Sequence, residues 1–428
     1  RLWAALLALC LTLSLALPVF AEGESDTEPE TKETYHIGTV DELLQLADYC
    51  RLDSWSENRT VVLDTDLEVT GSGFTGIPSF SGVFEGQGHV ISGLSLVDDG
   101  SVIGFFRYVQ KEANVRDLVV RGRAMPSGSR TTVGGLAGSN AGTLHNCRFE
   151  GVSSGASIVG GIAGNAFGGS TVRNCYNTGE ISAQSKVGGI VGNNDSSAVQ
   201  YCYNAGAVVG ESYIIGGIVG EHYATAAMTN CLSLGPKVEA ASENVSSIGR
   251  VAGEILDGAT ITGAAARADM KLIVHGAQQD ITEAGADTGH GESLDPGEIS
   301  WDTWLDDSDV WHNPSGATGV GGALPTLMNA PGEQSPALPD TLEKNCSVTA
   351  DGGTVYYATL QDALESADGG TVSIKVEQSF TNHLEFHTGA ASVTLDLNGK
   401  VLTCPRVGSE AGGSLTLTGG GTLNSGIM

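Results

Sequence analysis

The sequence predicts an all-β chain: a right-handed parallel β-helix with a short N-terminal capping helix, followed by a second, incomplete β-helix-like domain. Three observations carry that prediction. One phrase recurs as V-G-G-L-A-G from Val133, V-G-G-I-A-G from Val159, V-G-G-I-V-G from Val187, I-G-G-I-V-G from Ile215 and a worn I-G-R-V-A-G from Ile248, with starts 26, 28, 28 and 33 residues apart. A cysteine follows each of the first four copies, at Cys147, Cys175, Cys202 and Cys231, spaced 28, 27 and 29 residues. The 428 residues include 61 glycines and only 17% charged side chains, a balance suited to short strands and tight turns. A period between about 20 and 50 residues marks stacked units that bury their apolar faces against one another.

The elements follow in order. Residues 1–21 read as a secretory signal peptide: an apolar stretch from Leu2 to Phe20 ends in Val19-Phe20-Ala21, a small-x-small cleavage pattern. Residues 22–34 are acidic and Pro-containing, the composition of a disordered segment. The first domain is expected over 35–330. Thr39-Val40-Asp41-Glu42 has capping-box spacing ahead of Leu43, Leu44 and Leu46, so a short helix opens it. Residues 61–63 and 67–69 read as strands, and 82–94 as strand, Gln87-Gly88 turn, strand. The regular repeats occupy roughly 128–255. Within one unit, Val159 to Gly164 gives a strand where glycines admit close backbone, and Thr171-Val172-Arg173-Asn174-Cys175 alternates with Val172 and the thiol inward. One coil of such a helix rises about 4.8 Å and stacks like residue on like.

Residues 256–330 read as leaving the repeat, with Trp301, Trp304 and Trp311 as a closing cap over the end of the first core. Residues 331–343 read as a linker. The second domain is expected over 344–428. A helix starting near Leu360 precedes alternating strands at 371–376, 393–397 and 414–417. A solenoid of so few coils is incomplete, so the chain reads as a monomeric segment of a longer protein.

Charge and cysteines narrow the function. The net charge is −29, and removal of residues 1–21 takes away Arg1 and no acid, giving −30. Such a polyanion is a poor ligand for nucleic acid, and no apolar run after the signal is long enough to span a bilayer. Four of the seven cysteines beyond the signal recur once per unit, which fits a column of buried thiols rather than a disulfide framework. A pair on adjacent coils is geometrically able to oxidise, so their oxidation state stays open.

The phrase with its following Asn-Cys-Tyr-Asn and Gly resembles the GLUG motif of bacterial surface proteins, best at Val159 to Glu180 and Val187 to Gly206. The lead-in from Phe84 to Leu94 and Gly104-Phe105-Phe106 resembles the passage that precedes it in those proteins. The last copy departs at Arg250, which replaces the second glycine, so that unit is expected to be distorted. Leu395-Asp396-Leu397-Asn398-Gly399 resembles the start of pectate-lyase-like surface β-helices. The resemblance implies a secreted or wall-attached bacterial protein; the long repeat faces suit distributed, weak contacts, so the expected role is an adhesion or stalk module whose partners are glycans, matrix or host surface proteins. GLUG repeats also accompany immunoglobulin A metallopeptidases, apart from their zinc domain; the chain has no H-E-x-x-H, so no peptidase residue carries over.

The candidate chemistry is thin. His383, Glu385 and His387 share one strand face, but three alternate residues span about 13 Å, too far to meet at one ion without bending. Asp306-Asp307-Ser308-Asp309 lacks the glycine and bidentate glutamate of a calcium loop. Asp64 and Asp66 share a face, as paired carboxylates would, but nothing supplies their partner groups. The sequence therefore assigns no catalytic, metal or cofactor-binding residue and no cofactor. The expectation is a non-enzymatic surface module or, as the alternative, an accessory region of a larger secreted polysaccharide-degrading enzyme or peptidase.

Overall fold

The repeat phrase folds as a corner between two short strands. In the copy at Val159, the strand Ile158–Gly160 turns through Gly161-Ile162 into Ala163–Ala166. In this computed structural model the described residues are 33–428, without 316–317, 329–333, 342–343, 351–352, 358–359, 366–369, 379, 382–385, 410–412 and 428. The expected signal peptide and all but the last two residues of the acidic segment lie outside the described residues.

Every coil stacks in parallel register on the next. Ile158, Val159 and Gly160 pair with Thr132, Val133 and Gly134 on one side and with Lys186, Val187 and Gly188 on the other. One wall holds six strands from Val102–Ile103 to Ser247–Gly249, and a second holds seven from Ile77–Phe80 to Ala252–Ile255. A third, larger sheet forms the remaining sides. This is the parallel β-helix that the repeats predict. Val159, Val187 and Ile215 stack inside, with Ile162, Ile190, Ile218 and the row Val172, Val199, Met228. The helix Val40–Tyr49 buries Leu43 and Leu46 against this core. Its capping box forms: Thr39 accepts from the Glu42 N–H, and Glu42 accepts from Gly38 N at 2.8 Å.

The glycines are dictated by the stacking. A Cβ on Gly161 would sit 2.3 Å from the Gly189 carbonyl and 2.7 Å from Asn177 Cγ. The equivalent residue Arg250 does not distort its unit, whose strand pairs in register with Ile214–Gly216. The sequence expectation fails there because Ala266 stands where Asn177, Asn204 and Ser233 stand in earlier coils. The side chain is fully buried and donates to the carbonyls of His290 and Gly291 and to Ser293 Oγ, tying down the last coil.

The cysteines form a column of buried free thiols. Each donates to the carbonyl two residues earlier: Cys147 to His145 (3.2 Å), Cys175 to Arg173 (3.2 Å), Cys202 to Gln200 (3.1 Å) and Cys231 to Thr229 (3.4 Å). Burial pushes the Cys175 and Cys231 thiols well up, holding them protonated.

Three placements differ from expectation. The solenoid runs on past 255: Thr260–Arg267 pairs in register with Ala227–Ser233, and Glu292–Leu294 pairs with residues 265–267. The phrase is lost there, but the inward row continues as Ile261 and Ala264 over Met228 and Cys231. The three tryptophans do not cap the end of the core. They form a strap on its flank, where Trp301, Trp304 and Trp311 pack with Tyr176, Tyr203, Leu232 and Ala265. Those four directly follow the cysteine-column position, so they point outward and leave an apolar strip that needs cover. The segment expected as a linker joins the strap in its described part. Leu338 is buried in the same cluster, Gln334 accepts from Tyr176, and Pro339 O accepts from Arg267.

Residues 344–428 build a separate small core around Leu360, Ile374, Leu395 and Leu402. An antiparallel hairpin, Cys346–Ala350 with Gly353–Tyr357, precedes the helix Leu360–Glu365. Thr371–Val376, Ser392–Asp396 and Ser414–Thr418 then stack in parallel.

Candidate functional site

The site grows out of one irregularity repeated in every coil. The residue before each cysteine position has a left-handed backbone: Asp117 (φ 54°), Asn146 (53°), Asn174 (52°), Tyr201 (52°) and Asn230 (48°). Asparagine tolerates that region better than most residues. The kink turns the chain so that the strand residues before it also face out. Thr143 stacks on Thr171, and His145 on Arg173 and Gln200. These rows, with Asn146 and Asn174, floor a groove of about 570 Å³ whose other wall is Asp307 and Val310 of the strap.

The floor is polar and under-paired. Asn146 donates to Asp117 Oδ1 at 3.2 Å, and Asn174 donates to Asn146 Oδ1 at 3.4 Å. The next rung would be another amide, but it is Tyr201. Asn174 Oδ1 is therefore left buried without a partner, and Asn174 itself is 4% exposed. Arg173 lies over the Tyr201 ring at 5.4 Å and 3.9 Å from Asp307. Burial lowers the His145 pKa, outweighing the pull of Asp117.

The sequence candidates scatter. Asp64 and Asp66 lie in the bend between Thr60–Leu63 and Leu67–Glu68, not on a strand face. Each pairs with a histidine instead: Asp64 with His36 and Asp66 with His89, both at 3.0 Å. The backbone N–H of Val90, and then His89, hold Asp66 below the usual carboxylate range. In the acidic turn Asp307 accepts from the Asp309 N–H at 3.2 Å and faces Arg173. His383 and Glu385 lie outside the described residues, and His387 is half-buried in a strand paired with Gly408. Among the described residues no group of three or more His, Cys, Asp or Glu could hold a metal ion, and no helix is long and apolar enough to cross a membrane. The groove residues escaped sequence reasoning as a site. The available signal was the polar pair before each cysteine: His145-Asn146, Arg173-Asn174 and Gln200-Tyr201.

Comparison with known proteins supports the architecture. The model of the GLUG motif matches residues 155–182. A solved structure from Bacteroides ovatus, described as a "putative immunoglobulin A1 protease", is similar with a TM-score of 0.59 at 19% identity, over 69% of this chain and 93% of that one. At that identity the likeness speaks for the fold. No curated protein matches the sequence.

Proposed function

We propose that the chain is a non-catalytic module of a bacterial cell-surface or secreted protein, a β-helical stalk that adheres to glycans or matrix through its side. The observation that carries this reading is the groove, a row of outward polar side chains repeating coil by coil beside a strap. Repetition at the coil spacing suits many weak contacts with an extended partner. The GLUG motif and the likeness to the Bacteroides ovatus structure fit a surface protein or an accessory region. The second reading, a non-catalytic arm of a larger secreted peptidase or polysaccharide-degrading enzyme, draws on what that neighbour is described to be.

The test is co-sedimentation of the full chain with insoluble mucin, collagen and plant or bacterial wall material, with the supernatant analysed for released fragments. Retention without fragments is expected. Fragments that accumulate with time and enzyme dose would contradict a non-catalytic module.

A further inference from the structure

We infer that the groove takes a neutral, hydroxyl-rich glycan chain lying along the stacking direction of the coils; this rests on the adhesive reading above. The argument begins with Asn174 Oδ1. It is a buried acceptor with no partner, and it lies in the groove floor because Tyr201 interrupts the amide ladder that would have supplied the next N–H. The atom itself is covered, so a donor reaches it only when a neighbouring side chain of the groove yields; leaving it unpaired is unfavourable, and a ligand that brings a donor to that spot offsets the cost. An ionised carboxylate, sulfate or phosphate oxygen cannot donate. A sugar hydroxyl can, and it can accept in the same geometry, so the demand is for hydroxyls; neutral and anionic glycans both carry them, and charge decides between the two.

The rest of the floor offers the same mixed demand. The side chains of Thr143, Thr171 and Gln200 make no hydrogen bond within the described protein, and Arg173 sits near Asp307, so donors and acceptors alternate rather than forming one sign of charge. The net charge of −29 disfavours a polyanionic chain and so favours a neutral one. An extended peptide also carries N–H donors, but it binds sheets by adding to an edge. No edge is open here: Thr171 N donates to Gly142 O at 2.9 Å, and Ala198 N to Ser170 O at 2.9 Å, rung after rung. Contacts must therefore come from side chains, which repeat every coil, about 4.8 Å.

Affinity electrophoresis of the full chain tests this, in gels containing galactomannan, xyloglucan or dextran as neutral probes and polygalacturonate or heparin as anionic ones. Retardation by at least one neutral polymer and by neither anionic one is expected. Gln200→Ala and Asn174→Gly, the latter suited to the left-handed backbone, should each weaken that binding about tenfold, the effect of losing one or two hydrogen bonds. Tyr201→Asn should weaken it as well, by extending the ladder and satisfying Asn174 Oδ1 from within, without lowering the melting temperature. Glu254→Gln, on another wall, should change nothing. Retardation by no neutral polymer, or equally by the anionic ones, overturns the inference, as does full binding by the groove variants. If the chain still sediments with matrix in those cases, the adhesive reading stands and only the groove assignment falls.

Discussion

Two strips run side by side along the same sheet, and the chain treats them oppositely. The strip just after the cysteine column carries Tyr176, Tyr203, Leu232 and Ala265 on successive coils, and the protein covers it with its own strap. The strip just before it carries His145, Arg173 and Gln200, and forms the open groove. Both face outward because a left-handed residue lies between them. The covered strip is apolar and pre-stacked, with the Tyr176 and Tyr203 rings 4.7 Å apart and nearly parallel at 6°. Water would be a poor neighbour for it, so part of the chain serves as its solvent. The open strip is polar and loses little by staying wet. Inward residues therefore specify the coil, while outward residues decide what each face meets.

The largest effect should come from uncovering the first strip. Trp311→Ala removes a buried ring that packs near both tyrosines, and a loss of about 3–5 kcal/mol is expected in chemical denaturation. Limited proteolysis should then cut first within 295–340. An intact strap and unchanged stability would break the contrast between the strips.

A smaller effect is expected from the coil frame that both strips share. A Cβ at Gly189 would sit 2.2 Å from the Gly217 carbonyl and 2.3 Å from Asn204 Nδ2. Gly189→Ala should cost about 1–3 kcal/mol by overpacking. The groove-facing Thr171→Ala should stay within about 0.5 kcal/mol in the same assay, although it lies on a neighbouring coil. Equal losses for the two would show that the frame is not what the glycines protect.

Acid should act on histidines in the solenoid. Burial lowers the pKa values of His145, His222 and His290; at His222 the hydrogen bond that Nε2 donates to Thr260 O at 3.0 Å pulls the other way, and burial outweighs it. The unfolded chain then binds more protons than the folded one near the ordinary histidine value of about 6.5. Stability from these groups is present above that value and falls as pH drops through it. Melting temperatures should therefore decline below about pH 6.5, and His222→Gln should flatten part of that decline. A profile flat from pH 7 to 5 would contradict this.

Much of the frame was legible in the sequence. The phrase at Val159 and the cysteine period gave the register, because stacking like on like writes itself into the chain. Arg250 was misjudged because its compensation, Ala266, lies elsewhere in the sequence and only the fold brings them together. The tryptophan strap was recognised as a cover but put on the end of the core instead of its flank; Tyr176 and Tyr203, each directly after a cysteine, were the overlooked clue. The groove was hidden for a different reason. Its defining feature is an acceptor orphaned by Tyr201, and an unmet hydrogen bond has no sequence pattern of its own.

The most direct test of the two-strip account is hydrogen–deuterium exchange of the full chain with and without a saturating neutral polysaccharide that retards it in the gel. The account predicts new protection at 143–146, 171–174, 198–201 and 307–310, and none around Trp301 and Trp304. Protection confined to the strap, to another wall or to residues 344–428 would contradict it.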